Sequence, residues 1–560
     1  MTSRSAERRR RLTHRAIPAL GVLAVVSLGA GLAFGAATPS PAQRTAGDFG
    51  EAWGRGDYRA MHALLDDASR RAYPLPAFRR GYRQAAATAT ATGVSAEDPA
   101  GERGGAVVLP VEVSTRIFGR VRADLLLPVS GEKVTWGPLL AFPGLRRGEG
   151  LSRRSEPPVR GTLLSRDDKI LAKGPPDSRT SPLEAIAGSI AGSLSPEETA
   201  EEREALYARG FPRDWPVGQT GLEHAFEDRL AGRPGGELLA GNRVLAKRPP
   251  RQARPVRTTI DTRLQEASVT ALAGRFGGIA ALDPRNGEIR ALAGIAFSAP
   301  QPPGSTFKIV TATAALELGI VKPRDDFPVE SAAIVDGVEL ENANSEFCGG
   351  TFRQTFAHSC NSVFGPLGVE IGSEALVEAA ERFGWNAPPT VAGEVPSSIP
   401  PATEIVSPLE VASTAIGQFR TLATPLMLAS VAQTIAARGV RRVPTLTLGE
   451  RTRTVRVTTP KVARTVGSMM VEVVDYGTGT AAALPGVEVA GKTGTAELED
   501  TRDPETGETA PSDPSNTDAW FSAYAPAKQP RIVVAVMLVR AGAGGATAAP
   551  AARLVLDAAL

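Results

Sequence analysis

Strand patterns stand at both ends of residues 256–560, and helical patterns fill the middle. GGIAALDPRNGEIRALAG reads as a hairpin, two apolar strands around Pro284-Arg285-Asn286-Gly287. Far downstream, VEVAGKTGTAEL, TDAWFSAYAP and RIVVAVMLVR are three further strand candidates. Between them lie the helical segments STFKIVTATAALELG and TPLMLASVAQTIAARG, and AARLVLDAAL closes the chain as a helix. TIDTRLQEASVTALAG, just upstream, is an amphipathic helix opened by Asp261. These pieces bury their apolar faces together only if strands from distant parts of the chain join one sheet flanked by helices, an α+β layout. No internal repeat is visible.

The 560 residues are enough for several cores, and the preceding chain divides by pattern. Residues 43–150 run from helix-like (AGDFGEAWGRGDYRAMHALLDDASRRAY) to strand-like (AVVLPVEVSTRIFG, RVRADLLLPVS), a small α+β domain. Residues 155–255 hold a strand-like RGTLLSRDDKILAKG, a charged helical stretch and Gly/Pro-rich connectors, which fits a spacer better than an enzyme core. Residues 1–15 are a basic tail: Arg4, Arg8, Arg9, Arg10, Arg11 and Arg15 against Glu7. Ala16–Ala37 then runs 22 residues without a charge, long enough as a helix to cross a hydrocarbon core of about 30 Å. The arginines keep the N-terminus cytoplasmic and send the rest out. A cleaved signal peptide is the rival, with Gly35, Ala36 and Ala37 as candidate cleavage residues, but the apolar run exceeds the usual signal core.

Charge and residue counts exclude several function classes. The tail holds +5 of a net +3, so the body is at −2, which argues against nucleic acid as a partner. Four scattered histidines (His14, His62, His224, His358) and two cysteines leave no His/Cys metal cluster, and no metal or cofactor is expected. Cys348 and Cys360 have Gly349-Gly350 between them. In an oxidising compartment they form a possible disulfide contributing about 3 kcal/mol if unstrained, with two reduced thiols as the alternative.

With histidine scarce, lysine becomes the natural base. Ser305 and Lys308 stand at i and i+3 where a helical pattern begins, so hydroxyl and amine share a face, next to free backbone N–H groups at the helix start. A lysine acts as base only when neutral. That needs a pKa depression of roughly three units, about 4 kcal/mol of differential environment from burial or a second cation. One SxxK arises by chance in about half of such chains, so two later triplets carry the weight. Ser359-Cys360-Asn361 offers a hydroxyl and an amide that point the same way if extended, which would send His358 to the opposite face in a structural role. Lys492-Thr493-Gly494 places a cation and a hydroxyl on a strand beside a residue without a side chain. Gly486 to Thr493 also satisfies GxxxxGK[ST], the pattern of a P-loop nucleotide-binding protein. Its interior, Val487-Glu488-Val489, is strand-like and acidic, and a polar run comes next instead of a helix, so that alternative is remote.

The three triplets in this order resemble serine penicillin-binding proteins and β-lactamases. PPGSTFK, AHSCNSVF, GKTGTAE, IAALDPRNGEIRALA, Ile416 to Gln418 with Thr424-Pro425-Leu426, and VVDYGTGTAA are similar to transpeptidases of this family. VRGTLLSRDDKILA and QTGLEHAFEDRLAG resemble the pedestal, or dimerisation-like, segment of class B members, and DFGEAWGRGDYRAM a nuclear-transport-factor-like domain. The resemblance implies a penicillin-binding/β-lactamase-like transpeptidase domain over 256–560, antiparallel sheet flanked by helices. It makes Ser305 the acylated nucleophile, Lys308 its proton acceptor and Ser359 a proton relay to the leaving D-alanine. Asn361 would hold the substrate amide and orient Lys308. Lys492 and Thr493, with Gly494 and Thr495 on the same strand, would recognise the terminal carboxylate, Lys492 also keeping Lys308 neutral by repulsion. The backbone N–H groups of Ser305 and Thr495 would form the oxyanion hole. The implied reaction is peptidoglycan D,D-transpeptidation: a D-Ala-D-Ala stem peptide acylates the serine, and an amine of a neighbouring stem resolves the ester. The implied partners are these stem peptides, β-lactams bound covalently, the cytoplasmic membrane and other cell-wall synthesis proteins. A D,D-carboxypeptidase, a β-lactamase or a β-lactam sensor would share the acyl-serine.

Overall fold

The computed structural model of the chain describes residues 39–499 and 514–560. The basic tail and the apolar run Ala16–Ala37 lie outside the described residues, as does most of the polar run after the Lys-Thr-Gly strand. Among the described residues no helix is long and apolar enough to cross a membrane. The chain forms two compact units, one reaching to Pro157 with Glu198–Arg213 and Arg233–Pro250, the other made of Pro158–Glu197, Asp214–Gly232 and Arg251–Leu560. Residues 155–255 thus contribute to both.

The first unit begins with four helices, α1 (Pro41–Gly54), α2 (Tyr58–Ala63), α3 (Asp67–Ala72) and α4 (Leu75–Ala89). Ser40 opens α1 with a reciprocal cap: its Oγ accepts from Gln43 N–H at 3.1 Å while Gln43 Oε1 accepts from Ser40 N–H at 2.8 Å. An antiparallel sheet of β1 (Ala91–Ala96), β2 (Ala106–Thr115) and β3 (Gly119–Leu127) comes next, β2 between the other two. Phe49, Trp53, Met61 and Phe78 from the helices pack with Val107, Leu109, Val111 and Leu125 from the sheet. Two polar aromatics of this core, Tyr82 and Trp136, are paired in a chain. Trp136 Nε1–H donates to Tyr82 at 3.0 Å, and the Tyr82 hydroxyl donates to Leu140 O at 3.1 Å.

In the second unit the helix α5 (Thr262–Leu272) precedes the hairpin β4 (Gly277–Leu282) and β5 (Ile289–Gly294). The late strands β6 (Ala490–Glu497), β7 (Thr517–Ala525) and β8 (Ile532–Leu538) join them in one five-stranded antiparallel sheet, ordered β5-β4-β8-β7-β6. The closing contact between the two ends of the sequence is β4 on β8, with Gly277 opposite Leu538 and Leu282 opposite Val533. Both faces are covered, which explains why β4 and β8 are apolar at every position. Ile279, Ala281, Val534 and Val536 face α5 and the last helix, α12 (Gly544–Ala559); Ala280, Leu282, Ala535 and Met537 face the other way, toward Leu428, Val431 and Met470. β6 ends the sheet, so one edge of it is open to what lies beyond.

Candidate active site

The turn carrying Ser305 lies against that open edge. Gly304–Phe307 form a 3-10 turn that leads directly into α6 (Lys308–Leu318). Side chains at i and i+3 of such a turn eclipse, which puts Ser305 and Lys308 on one face. Gly304 holds φ +52°, and a Cβ there would fall 2.7 Å from Thr495 O on β6. The N–H and C=O of a residue in an antiparallel strand point to the same edge, so the Thr495 N–H also faces the Ser305 turn. Gly304 N–H donates to Gly417 O at 2.9 Å. Gly417, at φ +78°, could carry no Cβ, since it would lie 2.1 Å from Gly304 O. We expect Gly417→Ala to displace the Ser305 turn and slow acylation about tenfold or more, through left-handed strain and overlap together. An unchanged acylation rate and melting temperature would show that this contact does not hold the turn.

The Ser-Cys-Asn segment is a turn between two helices, so the condition that it be extended is not met. α7 (Phe352–Ala357) ends at His358 with φ −89° and ψ −4°, Ser359 takes the left-handed φ +63°, and Cys360 is the N-cap of α8 (Asn361–Ile371). The physical reason is the pair of helix ends: a left-handed residue reverses the chain after one helix so that the next can begin. Left-handed φ is rare for serine and concentrates at functional sites. Cys360 is disulfide-bonded to Cys348, with Cα atoms 5.5 Å apart. His358 is exposed, its ring 5.9 Å from that of Tyr476.

Four of the sequence-selected side chains converge. Lys308 Nζ donates to Ser359 O and Asn361 Oδ1, each at 2.7 Å, and lies 3.4 Å from Ser359 Oγ. Asn361 is oriented by its other end, Nδ2–H donating to Glu341 O at 2.8 Å. Lys492 Nζ reaches the same serine from β6, donating to Ser359 Oγ at 2.8 Å and to Thr493 O at 3.1 Å. Ser305 Oγ has no hydrogen bond to any described residue; such contacts often tighten only when substrate is present.

Both lysines are 0% exposed and neither is paired with a carboxylate among the described residues. Burial drives Lys308 well below the usual lysine range, and the charge of Lys492 pushes it further the same way. Burial takes Lys492 down to about 7. Phe364 and Phe356 lie 5.4 and 5.7 Å from the two amines. A neutral Lys308 has two N–H bonds, matching Ser359 O and Asn361 Oδ1, and a lone pair left to take a hydroxyl proton. Lys492, the lysine of the GxxxxGK pattern, lies on a strand that continues through Thr493 and not at a helix start, so the pattern forms no phosphate cradle.

One member of the cluster had no role assigned from the sequence. Thr478, in the run Tyr476-Gly477-Thr478-Gly479-Thr480, has its Oγ1 2.6 Å from Thr493 Oγ1. The run was visible as a motif, but nothing in its spacing indicated which hydroxyl it would meet.

Comparison with known proteins gives the same outline. Residues 277–557 match the penicillin-binding protein transpeptidase domain, and residues 174–247 the penicillin-binding protein dimerisation domain. The peptidoglycan D,D-transpeptidase PbpA of Mycolicibacterium smegmatis is 32% identical over 415 residues, which is 61% of this chain and 79% of that protein. Among solved structures, the D,D-transpeptidase domain of a peptidoglycan glycosyltransferase from Eggerthella lenta is 28% identical, with TM-score 0.58 over 72% of this chain and 98% of that one. Penicillin-binding protein A from M. tuberculosis, solved as its ceftriaxone acyl-enzyme complex, is 26% identical, with TM-score 0.57 over 72% of this chain and 98% of that one. A transpeptidase domain behind a dimerisation domain, with its lysines gathered on one serine, makes this chain a member of the penicillin-binding protein family, class B.

Proposed function

We propose that Ser305 carries the acyl group in a peptidoglycan D,D-transpeptidase reaction. The observation that carries this reading is the approach of two buried amines, Lys308 and Lys492, to Ser359 Oγ beside the Ser305 turn. Neutral Lys308 takes the Ser305 proton as Oγ attacks the carbonyl between the two D-alanines of a donor stem. The negative oxygen that forms is held by the N–H groups of Ser305 and Thr495. The C–N bond breaks, and the leaving D-alanine nitrogen receives a proton through Ser359, replenished from the lysines that hydrogen-bond it. Thr493 and Lys492 bind the donor's terminal carboxylate before the bond breaks. An amine of a neighbouring stem then attacks the ester, its proton returns to Ser305 Oγ, and a cross-link results. In a β-lactam the cleaved nitrogen stays tethered to the acyl group, so the adduct persists.

The sequence supports an extracytoplasmic protein held at the cytoplasmic membrane by Ala16–Ala37, with residues 1–15 inside. Helices followed by an antiparallel sheet support a nuclear-transport-factor-like fold for residues 43–150. Outside the membrane the chain meets the stem peptides and other cell-wall synthesis proteins.

Intact-mass measurement after benzylpenicillin treatment, followed by peptide mapping, tests the assignment. One penicillin added per chain, mapped to Ser305, is expected. An adduct on Ser359 or elsewhere, or none, refutes it.

A further inference from the structure

We propose that Thr478 is a positioning residue for substrate-carboxylate recognition: it donates its hydroxyl proton to Thr493 and so directs the only proton of Thr493 at the incoming carboxylate. This rests on the reading of Thr493 as a carboxylate-binding residue.

The backbone around Thr478 is fixed on two sides. Its N–H donates to Ala357 O, the last residue of α7, at 3.2 Å. A Cβ on Gly477 would fall 2.3 Å from the same oxygen, and a Cβ on Gly545, in the first turn of α12, 2.3 Å from Thr478 O. These close approaches leave the hydroxyl rotor as the free variable. Its proton has two acceptors, Ala357 O at 3.4 Å and Thr493 Oγ1 at 2.6 Å. The shorter contact is the stronger hydrogen bond.

Proton count then decides the direction within the pair. A carboxylate only accepts, and a threonine has one proton to give. If Thr493 donated to Thr478, it would present lone pairs to the substrate carboxylate and repel it. With Thr478 as donor, Thr493 accepts at 2.6 Å and is left with its own proton free for the carboxylate, a charge-assisted bond. Thr478 is exposed whereas Thr493 is buried, so a change at 478 can remove the hydroxyl without opening a core.

Thr478→Val, of nearly the same shape, is the informative variant, and benzylpenicillin and its methyl ester are the probes, read as acylation rates by intact mass. Loss of a hydrogen bond that orients a charged one predicts acylation by the acid about tenfold slower, with the ester changed less than about twofold. Thr478→Ser is expected to recover most of the rate with the acid. Thr478→Val on a Thr493→Val background is expected to add nothing, since the hydroxyl it orients is gone. Equal slowing of acid and ester would mean a structural role only, and an unchanged acid rate would mean none; either overturns the proposal. Should Thr478→Val fold poorly, Thr478→Ala, which also lacks the hydroxyl, carries the same distinction with the acid and ester probes. Failure of the wild-type protein to be labelled at Ser305 would instead overturn the acyl-serine reading beneath it.

Discussion

Lys308→Met is expected to slow acylation of Ser305 by benzylpenicillin by about 10²–10⁴-fold, the usual contribution of a positioned general base. The melting temperature should hold or rise. Lys308 is fully buried, and burial, then the charge of Lys492, hold its pKa well below the ordinary range. The unfolded chain, with a lysine pKa of about 10.4, binds a proton there that the native state does not. Stability therefore rises with pH between the depressed native value and about 10.4, and at neutral pH the residue subtracts from stability. Methionine fills similar volume without an amine to desolvate. The same logic fixes a pH effect. On the proposed mechanism acylation needs neutral Lys308, so its rate rises with pH through the depressed pKa. Lys492→Met removes the second cause of that depression, so the acid limb should move to higher pH. Measuring rate against pH for wild type and Lys492→Met checks this. An acid limb that stays in place would mean that burial alone sets the Lys308 proton, and a Lys308→Met protein acylating at the wild-type rate would remove the lysine from the chemistry altogether.

What could be read from the sequence was decided by how local the determining physics is. The strands β4 and β8 are apolar throughout because both faces are buried, so their runs stood out despite the long separation between them. Asp261 as N-cap of α5 is a contact within one turn, its Oδ1 accepting from Arg263 and Leu264 N–H at 3.2 and 3.3 Å. Lys308, Ser359, Asn361 and Lys492 were legible as types at recognised spacings. The left-handed Ser359 was not, because nothing in Ser-Cys-Asn distinguishes an extended segment from a reversal between two helices. The role of Gly417 was equally hidden, since it is a backbone contact with Gly304, 113 positions away by their numbers. Thr478 was seen only as part of a motif. Its partner, Thr493, is chosen by the packing of α12 and α7, which no local pattern encodes. In the stretch 155–255 the charged helical run reads as a solvated face, and Glu201, Glu202, Arg203 and Glu204 are exposed. The buried cluster around Arg160 was not legible, because Arg160 stands 63 and 67 positions from its carboxylate partners Glu223 and Glu227.

Glu223→Ala is expected to destabilise the second unit by about 3–5 kcal/mol, the cost of breaking a buried ion pair from one side. Arg160 and Glu223 are each 1% exposed and in contact at 2.7 Å. Arg160 also meets Glu227 at 2.7 Å, and Arg179 Nε donates to Glu223 Oε1 at 2.6 Å. Two guanidiniums and two carboxylates thus balance, with Arg179 further held by Gly174 O and Gly161 O. Alanine at 223 leaves two buried cations with one carboxylate, and Arg160 Nη1 already lacks a partner among the described residues. The cluster matters to the enzyme through the chain next to it. Just beyond Arg160-Gly161, Leu163–Leu164 pairs in parallel with Val256–Arg257, the strand that leads into α5 beneath the catalytic sheet. Loss of so much from a folded domain whose whole stability is typically about 5–15 kcal/mol should appear as a clearly lower thermal midpoint. The distances between Lys308, Ser359 and Lys492 do not depend on Glu223, so the fraction still folded should acylate at the wild-type rate. A thermal midpoint equal to the wild type's would show that these four charges contribute nothing net. A lowered acylation rate in fully folded protein would show that the cluster also shapes the active site.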